Sequence, residues 1–406
     1  MRSVAEQRAL VAAAVQPLAA IELPLAEAAG RTLAVDVTSR LDIPVFDNSA
    51  MDGYAVRHRD VAAAAPDAAV QLRIVADLPA GSAEDPRLGT GEAARIMTGS
   101  AVPTDADAIV PVENTLTGAW SDATTVAVTV AAEPGAYIRR AGADLHAGDL
   151  VLGAGTVLKA RHLAAAAAAG RAKLSVVPEP RVSIISTGSE LAAPDAVLTR
   201  GRIPESNSVL LRALVRDTGA RVMRTVTVAD DPAELRAEFD RAASEADVVI
   251  LSGGVSVGAY DVVKQVLQGT LEFVSVAMQP GKPQAFGRLP GGPLAFGLPG
   301  NPVSVAVSFE VFVRPALLAL QGRGDMLRPT LEAVTASGWR TPPGREQYMP
   351  VIFEHEDGAV RVRPATAGGS GSHLAGGLAH ADGFAVIPAD VDEVHAGSPV
   401  TVMLVP

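Results

Sequence analysis

Three carboxylates in turn-rich stretches have the chemistry of a hard oxygen site: Glu190 in STGSEL, Asp230 just before DPAELR, and Asp261 closing VVILSGGVSVGAYD. Mg2+ typically takes one or two carboxylates and completes its shell with water and phosphate oxygens, so Glu190, Asp230 and Asp261 are candidate ligands if the fold converges them. In the stretch from Val248 to Asp261 a β-branched apolar run breaks at Ser252 into Gly253 and Gly254, then passes Ser256 and Gly258. Bare glycines let backbone amides approach a phosphate or oxyanion, although they also suit an ordinary tight strand-to-helix connection. No Ser/His/Asp set accompanies Ser252 and Ser256, which read as hydrogen-bond donors rather than nucleophiles.

GLPGNPVS places Gly300, Asn301 and Ser304 around Pro302, a residue suited to the first position of a helix. Free amides there would face whatever the glycine loop presents; plain helix capping explains the same residues. QPGKP sets Lys282 between two prolines, which fixes one ammonium near an oxyanion, while a lone surface lysine needs no role. Asp47, Asn48, Ser49, Asp52 and Gly53 crowd between Phe46 and Tyr54, either as site chemistry or as an Asx-turn cluster closing a hairpin. Seven scattered histidines without a cysteine give no zinc spacing.

The elements that must position these groups alternate in character along the chain. Ser3 is a candidate N-cap for a helix to about Ala20, and Ala160 to Gly170 reads as an Ala-rich helix with a glycine stop. Short β runs from Val56 to Arg140 predict a small barrel or sandwich. From 179 to 321, strands alternate with helices, the pattern of a parallel sheet covered on both faces, whose ligands bind at the strands' carboxyl ends. In that region Asp231, Pro232 and Glu234 read as N-cap, first-turn proline and capping-box acid, and Val209, Leu210, Ala213 and Leu214 share one helix face. After Gly322 short strands return. The expected organisation is α/β plus β and multi-domain: a discontinuous region of 1–45 with 141–178, a small β domain at 46–140, a three-layer α/β domain with a parallel-rich sheet at 179–326, and a β-barrel-like domain at 327–406.

A chain of 406 residues is too long for one ordinary core. Its 48% hydrophobic and 19% charged residues are globular values, and a net charge of −11 disfavours nucleic acid and anionic membrane surfaces as partners. The absence of cysteine removes disulfides, thiolate nucleophiles and iron–sulfur ligation. MRSVAEQRAL lacks a signal pattern and the small apolar run Leu163 to Ala169 is far short of the ~20 residues a span needs, so a cytoplasmic soluble protein is expected.

FDNSAMDGYAVR, IMTGSAVP, SIISTGSEL, SGGVSVGAYD, QPGKP, GLPGNPVSVAVSFEVFVRP and GSGSH occur in this order and together resemble the molybdopterin molybdenumtransferase family, of the MoeA and gephyrin E-domain type. The resemblance covers nearly the whole chain. It implies an elongated homodimer with a composite active site and a molybdopterin-binding α/β domain. The implied reaction is Mg2+-dependent insertion of molybdate into adenylylated molybdopterin with release of AMP. The substrate brings its own dithiolene sulfurs, which suits a chain without cysteine. By resemblance, Asp261 and Asp230 bind Mg2+ and the phosphates, Glu190 supports them, and Gly300, Asn301 and Ser304 line the nucleotide and oxyanion end. Asp52 and Thr98 reach the partner's cleft, and Lys282, Arg345 and Ser372 bind or orient molybdate.

Departures from the family pattern remove charge. Ser275 and Gln279 stand where lysine is common, Pro350 stands at an often basic position after QYM, and Ser189 replaces a common aspartate. They imply a changed molybdate affinity, a preference for tungstate, or reduced activity. A non-catalytic protein that binds or hands over molybdopterin is the alternative, with a nucleotide pyrophosphatase built on the same module as a third reading.

Overall fold

The computed structural model describes every residue except 121, 256–260, 357–358 and 406. Its centre is a six-stranded sheet in the order Arg221–Val228, Arg181–Thr187, Val248–Ser252, Leu294–Leu298, Pro283–Arg288 and Glu272–Ser275. The first four strands are parallel, Pro283–Arg288 runs against them and Glu272–Ser275 runs against Pro283–Arg288, so the sheet is parallel-rich with antiparallel pairing at one edge. Alternate side chains go to opposite faces. Ile184, Val248 and Ile250 pack with Leu211, Val215 and Val303, whereas Ile185, Val249 and Leu251 pack with Leu235, Phe239 and Val263. Helices Asn207–Asp217 and Pro302–Leu320 therefore cover one face, and Pro232–Glu245 and Val262–Leu267 the other. Each such fully buried side chain contributes roughly 1.5–3 kcal/mol, which explains why these strands are apolar throughout rather than alternating.

Two local expectations are corrected. The first helix keeps Ser3 as N-cap, with a reciprocal Glu6 capping box, but ends at Ala14, because the residue before Pro17 is pushed out of helical geometry. The face of Asn207–Asp217 that is buried carries Ser208, Leu211 and Val215, and Val209 is 59% exposed, since the helix is rotated to bring Asn207 and Ser208 onto the sheet's end. PVSVAVSFEVFVRPALLAL forms one 19-residue helix, long and apolar enough to cross a membrane by composition, yet 83% buried within the protein. A π-helical turn at Phe309–Val313 precedes Pro315, absorbing the amide that proline cannot supply. Asp231 caps Pro232–Glu245 as expected, accepting from the amides of Ala233 at 2.9 Å and Glu234 at 2.8 Å.

Two β regions flank this centre. A five-stranded sheet runs in the order Ala108–Pro111, Gly53–Val56, Glu92–Ile96, Val70–Leu78 and Thr125–Val128. Strands between residues 21 and 38 pair with strands between 150 and 177, joining segments distant in sequence. Near the C-terminus, Thr330–Thr335, Glu346–Glu356, Ala359–Pro364, Gly383–Ile387 and Pro399–Leu404 close into a five-stranded barrel, because Glu346–Glu356 pairs on both sides. Met278–Gln279 adds in parallel to the edge of that barrel at Glu346 and Gln347, so α/β sheet and barrel meet beside the QPGKP loop.

Candidate functional site

The register aligns Ser186 with Ser252 and Ser252 with Leu298, and Thr187 with Val228, so four parallel strands end level and their loops converge. Two cavities open above them. The first, about 370 Å³, is lined by Thr187, Gly188, Glu190, Asn207, Asp230, Ser252, Gly253 and Asp261, among others. The second, about 270 Å³, is lined by Gln279, Lys282, Ser304 and Ser372, among others. Gly254, Gly300 and Asn301 line both and form the shared wall.

Positive backbone angles are obligatory in the glycine loop. Gly253 has φ +92° and Gly254 φ +64°; a Cβ on Gly253 would stand 2.5 Å from the Thr187 carbonyl, and one on Gly254 2.6 Å from Val263 Cγ2 and 3.1 Å from Asp261 Oδ1. Backbone thus fills space that side chains cannot share. Asp230 is tied to the neighbouring loop: Ser189 N donates to its Oδ2 at 2.9 Å, and its own amide donates to Ser189 Oγ at 3.1 Å. Ser256 and Gly258 lie outside the described residues.

The carboxylates Glu190, Asp230 and Asp261 line the first cavity with no Lys or Arg among its described lining residues. They share the cavity without meeting at one point: among the described residues no three His, Asp or Glu side chains are grouped closely enough to hold a metal between them. The convergence of all three expected from the sequence is therefore not present. A cation there would take one or two carboxylates, the number Mg2+ ordinarily accepts beside water and phosphate oxygens, so the donor set fits that ion.

The shared wall is stapled from both sides. Asn207 Nδ2 donates to the Gly300 carbonyl at 2.6 Å, and Asn301 Nδ2 donates to Ser372 Oγ at 2.8 Å. The Val303 amide already donates to the Ser372 carbonyl at 3.2 Å, so the helix start offers fewer free amides than Pro302 and Asn301 implied. Lys282 is exposed and is the one Lys or Arg among the second cavity's described lining residues. Arg345 donates to Oε1 of Gln279, another residue lining the second cavity, at 3.2 Å. Asp52 and Thr98 are apart from both cavities. They pair with each other, the Thr98 amide and hydroxyl each donating to Asp52 Oδ1 at 2.7 Å, and the amide above all holds the Asp52 carboxyl below the usual range.

The sequence reading missed a buried network under the first cavity. Glu205 is 6% exposed; its Oε1 accepts from Ser186 Oγ at 3.0 Å and from Ser208 N at 2.9 Å. The Ser186 proton is thereby used, so in the 3.2 Å contact between Ser186 and Ser252 the hydroxyl of Ser252 is the donor. What Ser252 retains for the cavity is acceptor capacity, which reverses the reading of this serine as a donor to ligand. The signal was the polar run Glu205-Ser206-Asn207-Ser208 at a helix start, which only burial distinguishes from ordinary capping.

The fold and site define a multi-domain protein with a cleft at the carboxyl ends of a three-layer α/β sheet. Family models match residues 2–170 as "MoeA N-terminal region (domain I and II)", 183–319 as "Probable molybdopterin binding domain" and 332–405 as "MoeA C-terminal region (domain IV)". "Molybdopterin molybdenumtransferase 2" of Mycobacterium tuberculosis is 47% identical over 410 residues, covering 99% of both chains. "Molybdopterin molybdenumtransferase" of Nostoc sp. is 38% identical over 386 residues, covering 93% of this chain and 87% of the relative. A crystal structure of the molybdopterin biosynthesis MoeA protein from Pyrococcus horikoshii superposes with TM-score 0.84 at 31% identity, covering 99% of this chain and 98% of that one. The chain belongs to the molybdopterin molybdenumtransferase family, enzymes of molybdenum cofactor biosynthesis.

Proposed function

We propose that this chain inserts molybdate into adenylylated molybdopterin in an Mg2+-dependent reaction that releases AMP. The observation that carries this reading is the pair of cavities sharing the Gly254, Gly300 and Asn301 wall, one lined by carboxylates and the other by Lys282. A phosphate-bearing ligand cannot sit among Glu190, Asp230 and Asp261 without a counter-ion, because like charges brought together in a cleft repel. Mg2+ held by one or two of Asp261, Asp230 and Glu190 would supply that charge and polarise the phosphate oxygens. Across the wall, Lys282 neutralises an oxyanion, Ser304 and Ser372 offer hydroxyls, and Arg345 is held nearby by Gln279. The wall itself keeps the two ends of one ligand apart while leaving both open to it.

Asp52 and Thr98 have no place in this chain's own cleft, and we assign them to that of the second subunit of a homodimer, so that the active site is composite. The working compartment we assign is the cytoplasm. The rival reading, a non-catalytic binder or handover protein, draws on the second cavity's single lysine and on the amide of Gln279 in place of charge. Incubating the protein with adenylylated molybdopterin, Mg2+ and molybdate or tungstate, and following AMP, separates the two. Turnover is expected, with Asp261→Ala slowing it on the order of 10²-fold. Tight ligand binding without AMP release would establish the rival, and an Asp261→Ala protein as fast as wild type would remove that carboxylate from the mechanism.

A further inference from the structure

Two residues lining the first cavity, Ser252 and Asn207, offer it hydrogen-bond acceptors rather than donors. Ser252, 1% exposed, lines the cavity with its proton committed to Ser186, whose own proton is committed to Glu205 Oε1. Oε1 also accepts from Ser208 N and Oε2 from Ser208 Oγ, so the Glu205 carboxylate is met by donors alone and the direction of the chain is set. Asn207 lines the same cavity, is 8% exposed, and has its amide orientation dictated by the Gly300 carbonyl, which takes Nδ2. Its Oδ1 is buried with no hydrogen-bond partner, a state that costs free energy until a donor arrives.

We infer that Ser252 and Asn207 form an acceptor wall that recognises uncharged N–H or O–H donors of the substrate, with Glu205 as the positioning residue that sets the Ser252 polarity. This rests on the reading of the cleft as the site for adenylylated molybdopterin, and it names which chemistry of that ligand these two residues select. A phosphate presents only acceptors and finds no partner at Ser252 or Asn207; it belongs at the metal-binding edge. The donors come either from the pterin ring or from the nucleoside, and both carry amino or hydroxyl hydrogens.

Calorimetric titration of the full chain with three probes tests this: pterin, adenosine, and inorganic pyrophosphate in the presence of Mg2+. One of the uncharged probes should bind, and Ser252→Ala and Asn207→Ala should each weaken it about tenfold while changing pyrophosphate less than about twofold. Glu205→Gln keeps an oxygen for Ser186 and should stay within about twofold of wild type, whereas Glu205→Ala should behave like Ser252→Ala. Whichever of pterin and adenosine responds identifies the source of the donors. The proposal is overturned if neither binds the wild type, if Ser252→Ala binds both as wild type does, or if Ser252→Ala loses pyrophosphate instead. No turnover enters these readings, so absent AMP release with an intact probe pattern would fail the proposed reaction and leave the acceptor wall standing.

Discussion

Ser189 and Asp230 hold each other by two reciprocal hydrogen bonds, amide to carboxylate at 2.9 Å and hydroxyl accepting from amide at 3.1 Å, across the ends of two adjacent parallel strands. The pair fixes where the Asp230 carboxylate stands before any ligand enters. Ser189→Ala removes one bond of the two and is expected to raise the Mg2+ concentration for half-maximal AMP release about two- to tenfold, with less than about 1 kcal/mol of stability lost. Metal titrations of wild type and variant check this. A large fall in the unfolding midpoint with an unchanged metal dependence would make the pair purely structural.

Gly254 is expected to be intolerant for a different reason. Gly254→Ala meets Val263 Cγ2 at 2.6 Å and must hold φ +64°, which costs an L-residue roughly 1–2 kcal/mol before any repacking. Because the same Cβ would press on Asp261 Oδ1 and on the wall between the cavities, activity should fall further than stability does. Comparing the urea midpoint with the rate of AMP release separates the two losses.

Asp52 gives a pH prediction. Its folded carboxyl lies below the usual range, chiefly through the Thr98 amide and secondly through the Thr98 hydroxyl. A depressed carboxyl stabilises the folded chain above its ordinary value, and that contribution disappears as pH falls through the lowered value. Thr98→Val keeps the amide and removes the hydroxyl, so the Asp52 carboxyl should rise part of the way back and its contribution should be lost at a higher pH. Carboxyl-carbon NMR titration reads the shift directly, and an unchanged titration would show that the hydroxyl is idle. The effect on global stability should be small because Asp52 is exposed.

Glu310, 3% exposed inside the long helix, takes both Arg328 Nε at 2.8 Å and Arg328 Nη2 at 2.9 Å, with Arg314 Nε at 3.8 Å. Burial already holds the Arg314 guanidinium below its ordinary value. Glu310→Ala would remove the buried carboxylate shared by the two arginines and should cost about 3–5 kcal/mol. Chemical unfolding measures it. A loss below about 1 kcal/mol would mean that water reaches the cluster and the ion pair matters little to the fold.

Much of the architecture was legible because it depends on period and punctuation. The apolar runs at 181–187, 248–252 and 294–298 are covered on both faces and need no partner to be recognised as buried strands; Asp231 and Pro232 announce a helix start by local chemistry alone. Misreadings arose where a residue's surroundings come from distant segments. The face of Asn207–Asp217 turns on what lies across the sheet end.

The candidate residues Glu190, Asp230, Asp261, Lys282 and Asn301 could be named from sequence because carboxylates, a proline-flanked lysine and helix-start residues beside glycines carry their chemistry in their types. Tertiary structure alone divided them between two cavities, held Glu190, Asp230 and Asp261 apart rather than at a single point, and covered the Val303 amide with Ser372. It also decided the direction of the Glu205, Ser186 and Ser252 chain. A hydroxyl's role depends on which partner takes its proton, and that partner lies on another strand or loop, brought to 3.0–3.2 Å only by the tertiary fold.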